Sequence, residues 1–159
     1  MSKVIFKSMK LTYQYLIDMT KKYTKDEFAF LVFQPEIVDP KKNRDIYVLA
    51  AYIVDKVWNV TAPVGSTELK EDTTSTHDHD IKLYLGNYPL SRKRIDEMIK
   101  GDPKGEKTVS LSLAPIAFSQ NNKYISYKMT LILKDGGSPE GFDTDDELQP
   151  SPPANAGFN

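Results

Sequence analysis

Two stretches of this chain alternate apolar and polar residues with a period of two. Val109, Leu111 and Leu113 alternate with Ser110, Ser112 and Ala114, and Ile125, Tyr127, Met129, Leu131 and Leu133 alternate with Ser126, Lys128 and Thr130. That period puts one face of a strand on a core. Ser119-Gln120-Asn121-Asn122 lies between the runs, and Asn tolerates the positive φ of a tight turn, so the pair predicts a β-hairpin. Pro115 has no N–H to give to a ladder, which places it at a sheet edge or a bulge. Ile81, Leu83 and Leu85, alternating with Lys82 and Tyr84, predict a third strand over 81–85.

Residues 28–33 and 46–58 are apolar on both faces. They are joined by the turn chemistry of Asp39-Pro40-Lys41-Lys42-Asn43-Arg44. Ile46, Val48, Ile53, Val54 and Val57 are β-branched, so the pair reads as two long central strands. A helical signal competes: Thr24-Lys25-Asp26-Glu27 has the form of a capping box, and Ile46, Leu49, Ala50, Ile53 and Val57 fit a helical stripe. Two helices are predicted. One covers 9–23, with Met9, Tyr13, Leu16, Met19 and Tyr23 on one face and Ser8 as N-cap; the other runs from a Ser91 cap through Lys100 to Gly101. Strands in runs joined by short turns point to an α+β domain with a mostly antiparallel sheet of about five strands and two helices.

Charge changes the picture at the C-terminal end. The chain has 159 residues, 21 basic and 22 acidic groups, and no cysteine. Its length fits one domain. Residues 1–134 carry a formal +5, whereas 135–159 hold six acids and no base, with Gly and Pro throughout. The expected organisation is a single domain over 1–134 followed by a flexible acidic tail over 135–159. Without cysteine there is no disulfide framework, thiol nucleophile or thiolate metal site. No apolar segment matches a signal-peptide core or a membrane span, which gives a cytoplasmic location and no membrane partner as expectations.

Candidate chemistry is sparse. His77-Asp78-His79-Asp80 ends a Thr/Ser-rich segment over 64–80 read as a polar loop. Imidazoles two apart on extended chain point the same way, so His77, His79 and Asp80 are candidate ligands for a divalent metal, the only cofactor the residues suggest. A metal-dependent enzyme built on them would need a further ligand from elsewhere. No nucleophile elbow, GxGxxG or P-loop occurs, so a non-enzymatic role is expected.

Arg92, Lys93 and Arg94 stand at the predicted start of the second helix, where cations oppose the macrodipole unless an anion is present. With the strand tyrosines Tyr84 and Tyr88 they form a candidate surface for nucleic acid or another anionic ligand. The acidic tail would then compete for that surface. The tail also carries Pro150, Pro152 and Pro153 in a P-x-x-P spacing, and Phe158 near its end, as candidate partner contacts. The reading that these features favour is a protein-interaction or adaptor module acting through a sheet edge or the tail. Another protein is the expected partner, nucleic acid is the alternative, and oligomeric state is open.

Overall fold

A computed structural model describes residues 3–39, 43–78, 81–83, 87–118 and 124–136. The chain runs β1 (Lys3–Thr12), α1 (Tyr13–Lys22), β2 (Phe30–Asp39), β3 (Asn43–Val54), β4 (Val60–Pro63), β5 (Leu69–Asp78), β6 (Lys82–Leu83), β7 (Tyr88–Ser91), α2 (Arg92–Gly101), β8 (Thr108–Phe118) and β9 (Tyr124–Leu133). The nine strands among the described residues belong to one sheet, with main order β6-β9-β8-β1-β3-β2-β7; β4 pairs with β3 and β5 with β1. The expected five-stranded, mostly antiparallel sheet is therefore corrected to a larger mixed one, in which β1–β3 and β6–β9 are parallel. Both helices are present. Among the described residues no helix is long and apolar enough to cross a membrane.

The β8–β9 hairpin and the β2–β3 pair form as their sequence patterns predict. Leu31, Val32 and Phe33 are all fully buried, which is why that stretch shows no alternation. The reciprocal capping-box bonds also form, Glu27 N–H to Thr24 Oγ1 at 3.2 Å and Thr24 N–H to Glu27 Oε1 at 2.9 Å. They close an isolated turn ahead of β2 rather than start a helix. Pro115 stands just past the last β8–β1 pair, Met9↔Leu113, as an edge residue should. Pro35 likewise follows the last β2–β7 pair, Phe33↔Tyr88.

The first helix starts at Tyr13, not Met9, because residues 3–12 are a strand. Its buried positions run Val4, Phe6, Ser8 and then Met9, Leu11. The buried face thus changes parity between Ser8 and Met9, and both halves of β1 face one hydrophobic core. β5 lies along β1 from Lys3 to Leu11, so β3 (at Ile5 and Phe6) and β8 (at Met9 to Thr12) share its other edge. The β1–β5 register shifts by one residue at this corner: Lys7 faces Thr74, whereas Met9 faces Glu71. Asp72 and Thr73 together oppose Ser8, which is a β-bulge. Ser8 Oγ accepts from Thr73 N–H at 2.8 Å and lies 3.2 Å from the Thr73 carbonyl and 2.7 Å from Thr73 Oγ1.

Two buried polar groups fasten the helices. Tyr13 O–H is shared between the carbonyls of Met98 (3.0 Å) and Asp102 (2.9 Å). The Asp102 carboxylate accepts from the N–H groups of Glu106 (3.0 Å), Lys107 (3.0 Å) and Thr108 (2.7 Å), closing the loop from α2 into β8. Gly105 supplies the positive φ of 66° that this loop needs. Burial alone would raise the Asp102 carboxyl, but the N–H groups of Lys107, Thr108 and Glu106 and the Thr108 hydroxyl hold it below its ordinary value. Burial, with the Asp102 charge adding to it, pushes the Tyr13 phenol up to about 12. One bulky residue sits in the left-handed region: Trp58 has φ 68° in the β3–β4 turn, and its ring stacks on Phe30 at 4.6 Å and 14°. A stack of that kind contributes about 0.5–1.5 kcal/mol, enough to offset the left-handed cost of about 1–2 kcal/mol in large part.

Three outcomes follow from these contacts. Ser8→Ala leaves the Thr73 backbone groups unpaired beside a buried strand and should cost about 1–3 kcal/mol in urea unfolding; an unchanged midpoint would show that the bulge does not depend on Ser8. A depressed carboxyl stabilises above its unfolded pKa and loses that contribution as pH falls through its folded one. Asp102→Asn should therefore be less stable than wild type at neutral pH, with the gap closing in acid. At the alkaline end the unfolded phenol ionises from about 10 and folded Tyr13 only near about 12. Stability should fall across that window, as followed by circular dichroism, and a flat profile would contradict it.

Candidate functional site

Most of the segment over 64–80 read from sequence as a polar loop is instead β5, the longest of the four strands (β4, β5, β6 and β7) that have a single strand partner among the described residues. It has no apolar alternation because only Leu69 is buried; Lys70 to Thr74, Thr76 and Asp78 are exposed, and Ser75 and His77 are half-buried. What keeps it extended is pairing with β1 and its β-branched threonines, Thr73, Thr74 and Thr76. Among the described residues no strand lies outside it.

The direction of its backbone groups can be read from two bonds. Thr73 N–H points inward to Ser8 Oγ, and Thr12 N–H reaches the carbonyl of Glu68 at 3.3 Å. Alternation along a strand then turns the N–H and C=O of Ser75 and His77 toward β1 and those of Thr74 and Thr76 outward. Ion pairs flank this stretch at both ends, Lys10 to Asp72 at 3.5 Å and Lys3 to Asp78. The carbonyl of Asp78 also accepts from Ile81 N–H at 3.1 Å, where the chain leaves the strand. The middle, Thr73-Thr74-Ser75-Thr76, is uncharged.

On the inner face, His77 meets the Phe6 ring edge-on at 5.8 Å, and Phe6 stacks on Tyr47 at 5.1 Å. His77 Nε2 lies 2.5 Å from Ser75 Oγ. Burial holds the His77 imidazole below its usual pKa against the opposing pull of Asp78. Its ring is thus engaged by its own sheet. Among the described residues no three acidic or histidine side chains gather as a metal site would require; His79 and Asp80, the other two ligands expected from sequence, lie outside the described residues. Near the start of β5 a groove of about 430 Å³ opens where β3 parts from β1, with Met9, Val48, Leu49, Val64 and Leu69 in its wall and Lys70 and Glu71 at its rim.

The residues expected to bind an anion are dispersed. Arg92 is only 9% exposed, and its guanidinium faces the fold. Nη2 donates to the Thr20 carbonyl at 2.9 Å; Nη1 lies 3.3 Å from the carbonyls of Tyr23 and Thr24 and 3.4 Å from that of Phe28. Nε pairs with Asp96 at 2.9 Å, and the plane sits over the Phe28 ring at 5.2 Å. Arg92 thus closes the C-terminal end of α1, whose last carbonyls lack partners within the helix. Lys93 is exposed and borders a second groove, of about 370 Å³, with Lys25, Lys100 and Glu97. Arg94 is half-buried, its N–H held by the Ser91 cap at 3.2 Å.

Tyr88 is fully buried, edge-on to Tyr127 at 5.6 Å, so its ring is not presented for stacking on a base. Tyr84 lies outside the described residues, as do Pro150, Pro152, Pro153 and Phe158 of the expected tail.

Comparison with other proteins adds no identity. No protein-family model, curated protein or solved structure matches this chain. The site therefore stands on its geometry. Sequence reasoning passed over it because a strand exposed on both faces has no hydrophobic period; the clustered threonines are the one signal that could have revealed it.

The two cations that adjoin in sequence should separate on substitution. Arg92→Ala removes five contacts to buried or half-buried acceptors and should cost about 3 kcal/mol or more, while Lys93→Ala stays within about 0.5 kcal/mol. Thermal denaturation of both variants would contradict this assignment if Arg92→Ala melted with wild type.

Proposed function

We propose that this protein is a non-enzymatic interaction module that takes up an extended protein segment by strand addition at the outer edge of β5. The observation that carries the reading is the uncharged stretch Thr73–Thr76, exposed but for the half-buried Ser75 and bordered by no outer strand among the described residues, with the backbone groups of Thr74 and Thr76 turned outward. Main-chain hydrogen bonds would supply the affinity. Two of the devices that usually blunt such an edge are absent from the stretch, which has no proline and no lysine; its bulge, at Asp72 and Thr73, lies ahead of the outward-facing Thr74 and Thr76. The inward engagement of Arg92 and the burial of Tyr88 weaken the competing nucleic-acid reading, since they take two of its proposed contacts into the core.

Thr76→Pro tests the reading with little cost to the fold, because the N–H that it removes points away from β1. Tagged full-length protein, wild type or Thr76→Pro, would be incubated with lysate of the native source, and retained protein, including further copies of this chain, quantified. Retention should fall by about tenfold or more in the variant. Equal retention by both would rule out strand addition at this edge.

A further inference from the structure

Starting from strand addition at this edge, we propose that the incoming strand is β5 of a second copy of this chain, antiparallel, with the two-fold axis at Ser75. In an antiparallel pair related by a two-fold axis perpendicular to the sheet, some residue must oppose its own equivalent. Centring on Thr76 would set Thr74 against Asp78, whose carbonyl is already bound by Ile81 N–H. A Thr74 centre would set Thr76 against Asp72, which belongs to the bulge. Only the Ser75 centre pairs Thr74 of one copy with Thr76 of the other, twice, joining the outward groups to each other. Thr–Thr cross-strand pairs are themselves favourable.

Charge supports a copy over the chain's own acidic C-terminal segment as the occupant. Residues 135–159 carry six acids and no base, and β5 is already net acidic, with Glu71, Asp72 and Asp78 against Lys70. A second copy brings a neutral strip to the neutral strip. At each end it sets the Lys10–Asp72 pair beside the other copy's Lys3–Asp78 pair, so each aspartate arrives with its own lysine. The contact is short and should bury less than the roughly 1,000 Å² of a stable interface, so the dimer should be reversible and concentration-dependent.

The absence of cysteine makes the register testable in the full chain. Opposed residues of a non-hydrogen-bonded pair have Cα atoms about 4.5 Å apart, inside the disulfide range of about 4.4–6.8 Å. Mild oxidation of Ser75→Cys at high protein concentration should give a covalent dimer on a non-reducing gel, about tenfold above a surface control, Lys104→Cys. Thr74→Cys and Thr76→Cys should each cross-link poorly alone and well when mixed, which gives the same answer should Ser75→Cys fold badly. Adding Thr76→Pro to Ser75→Cys should abolish the product.

Cross-linking no greater than the control in both Ser75→Cys and the mixture would overturn the second-copy proposal. If Thr76→Pro still released another captured protein, strand addition would stand with a different partner. If it released nothing, both would fall.

Discussion

The bulge at Ser8 is the constraint on which the rest of this structure depends. One strand, β1, must serve two half-sheets that lie on the same side of it, β3-β2-β7 along its first half and β8-β9-β6 along its second. It does so by changing its buried face between Ser8 and Met9, so that Phe6 and Leu11 enter one core from opposite parities. A change of parity breaks a ladder locally, and here the extra residue falls on β5. A serine at the corner is the economical solution, because one hydroxyl can both accept from and donate to the partner backbone. An alanine or valine would fill the space but leave the Thr73 N–H without an acceptor.

The helices brace this arrangement through polar groups as well as through the apolar contacts of Leu16, Ile17, Ile95 and Met98. Arg92 ends α1 from the first turn of α2, and Asp102 organises the return from α2 into β8. Both are charged side chains with little exposure, and both have most of their hydrogen-bonding capacity filled by backbone groups, the condition under which a buried charge stabilises rather than strains. With the two half-sheets and both helices committed to the core, β5 is left with one strand partner, as are the much shorter β4, β6 and β7. Its openness is a consequence of topology, since its single described strand partner is β1.

The sequence was most legible where one face is buried and the other is wet. The β8–β9 hairpin and α2 with its Ser91 cap announce themselves by period and capping chemistry, and the β2–β3 pair, which lacks a period, by its β-branched residues. Legibility failed for three physical reasons. In β1 the phase break at Ser8 and Met9 destroyed the alternation and left a stretch that fits a helical stripe. Strands β4 and β7 are four residues each, too short for a period, and each contains a proline. β5 buries almost nothing, so no pattern distinguishes it from a loop. At the candidate site, the sequence pattern of His77 suggests a metal ligand but carries no sign of its place at the edge of the Phe6 ring, which depends on the β1–β5 pairing. Arg92 reads from sequence as an anion contact, whereas its guanidinium is turned inward onto the backbone carbonyls of Thr20, Tyr23, Thr24 and Phe28.

Amide hydrogen exchange across β5, at a protein concentration low enough to keep copies apart, tests the central claim most directly. An edge that is bonded to β1 and open on its other side should show alternation: Ser75 and His77 protected, Thr74 and Thr76 exchanging at nearly the rate of unstructured chain. Uniform protection from Thr74 to His77 would mean that the outer edge is covered, and uniform fast exchange that β5 does not pair with β1; either would contradict the account.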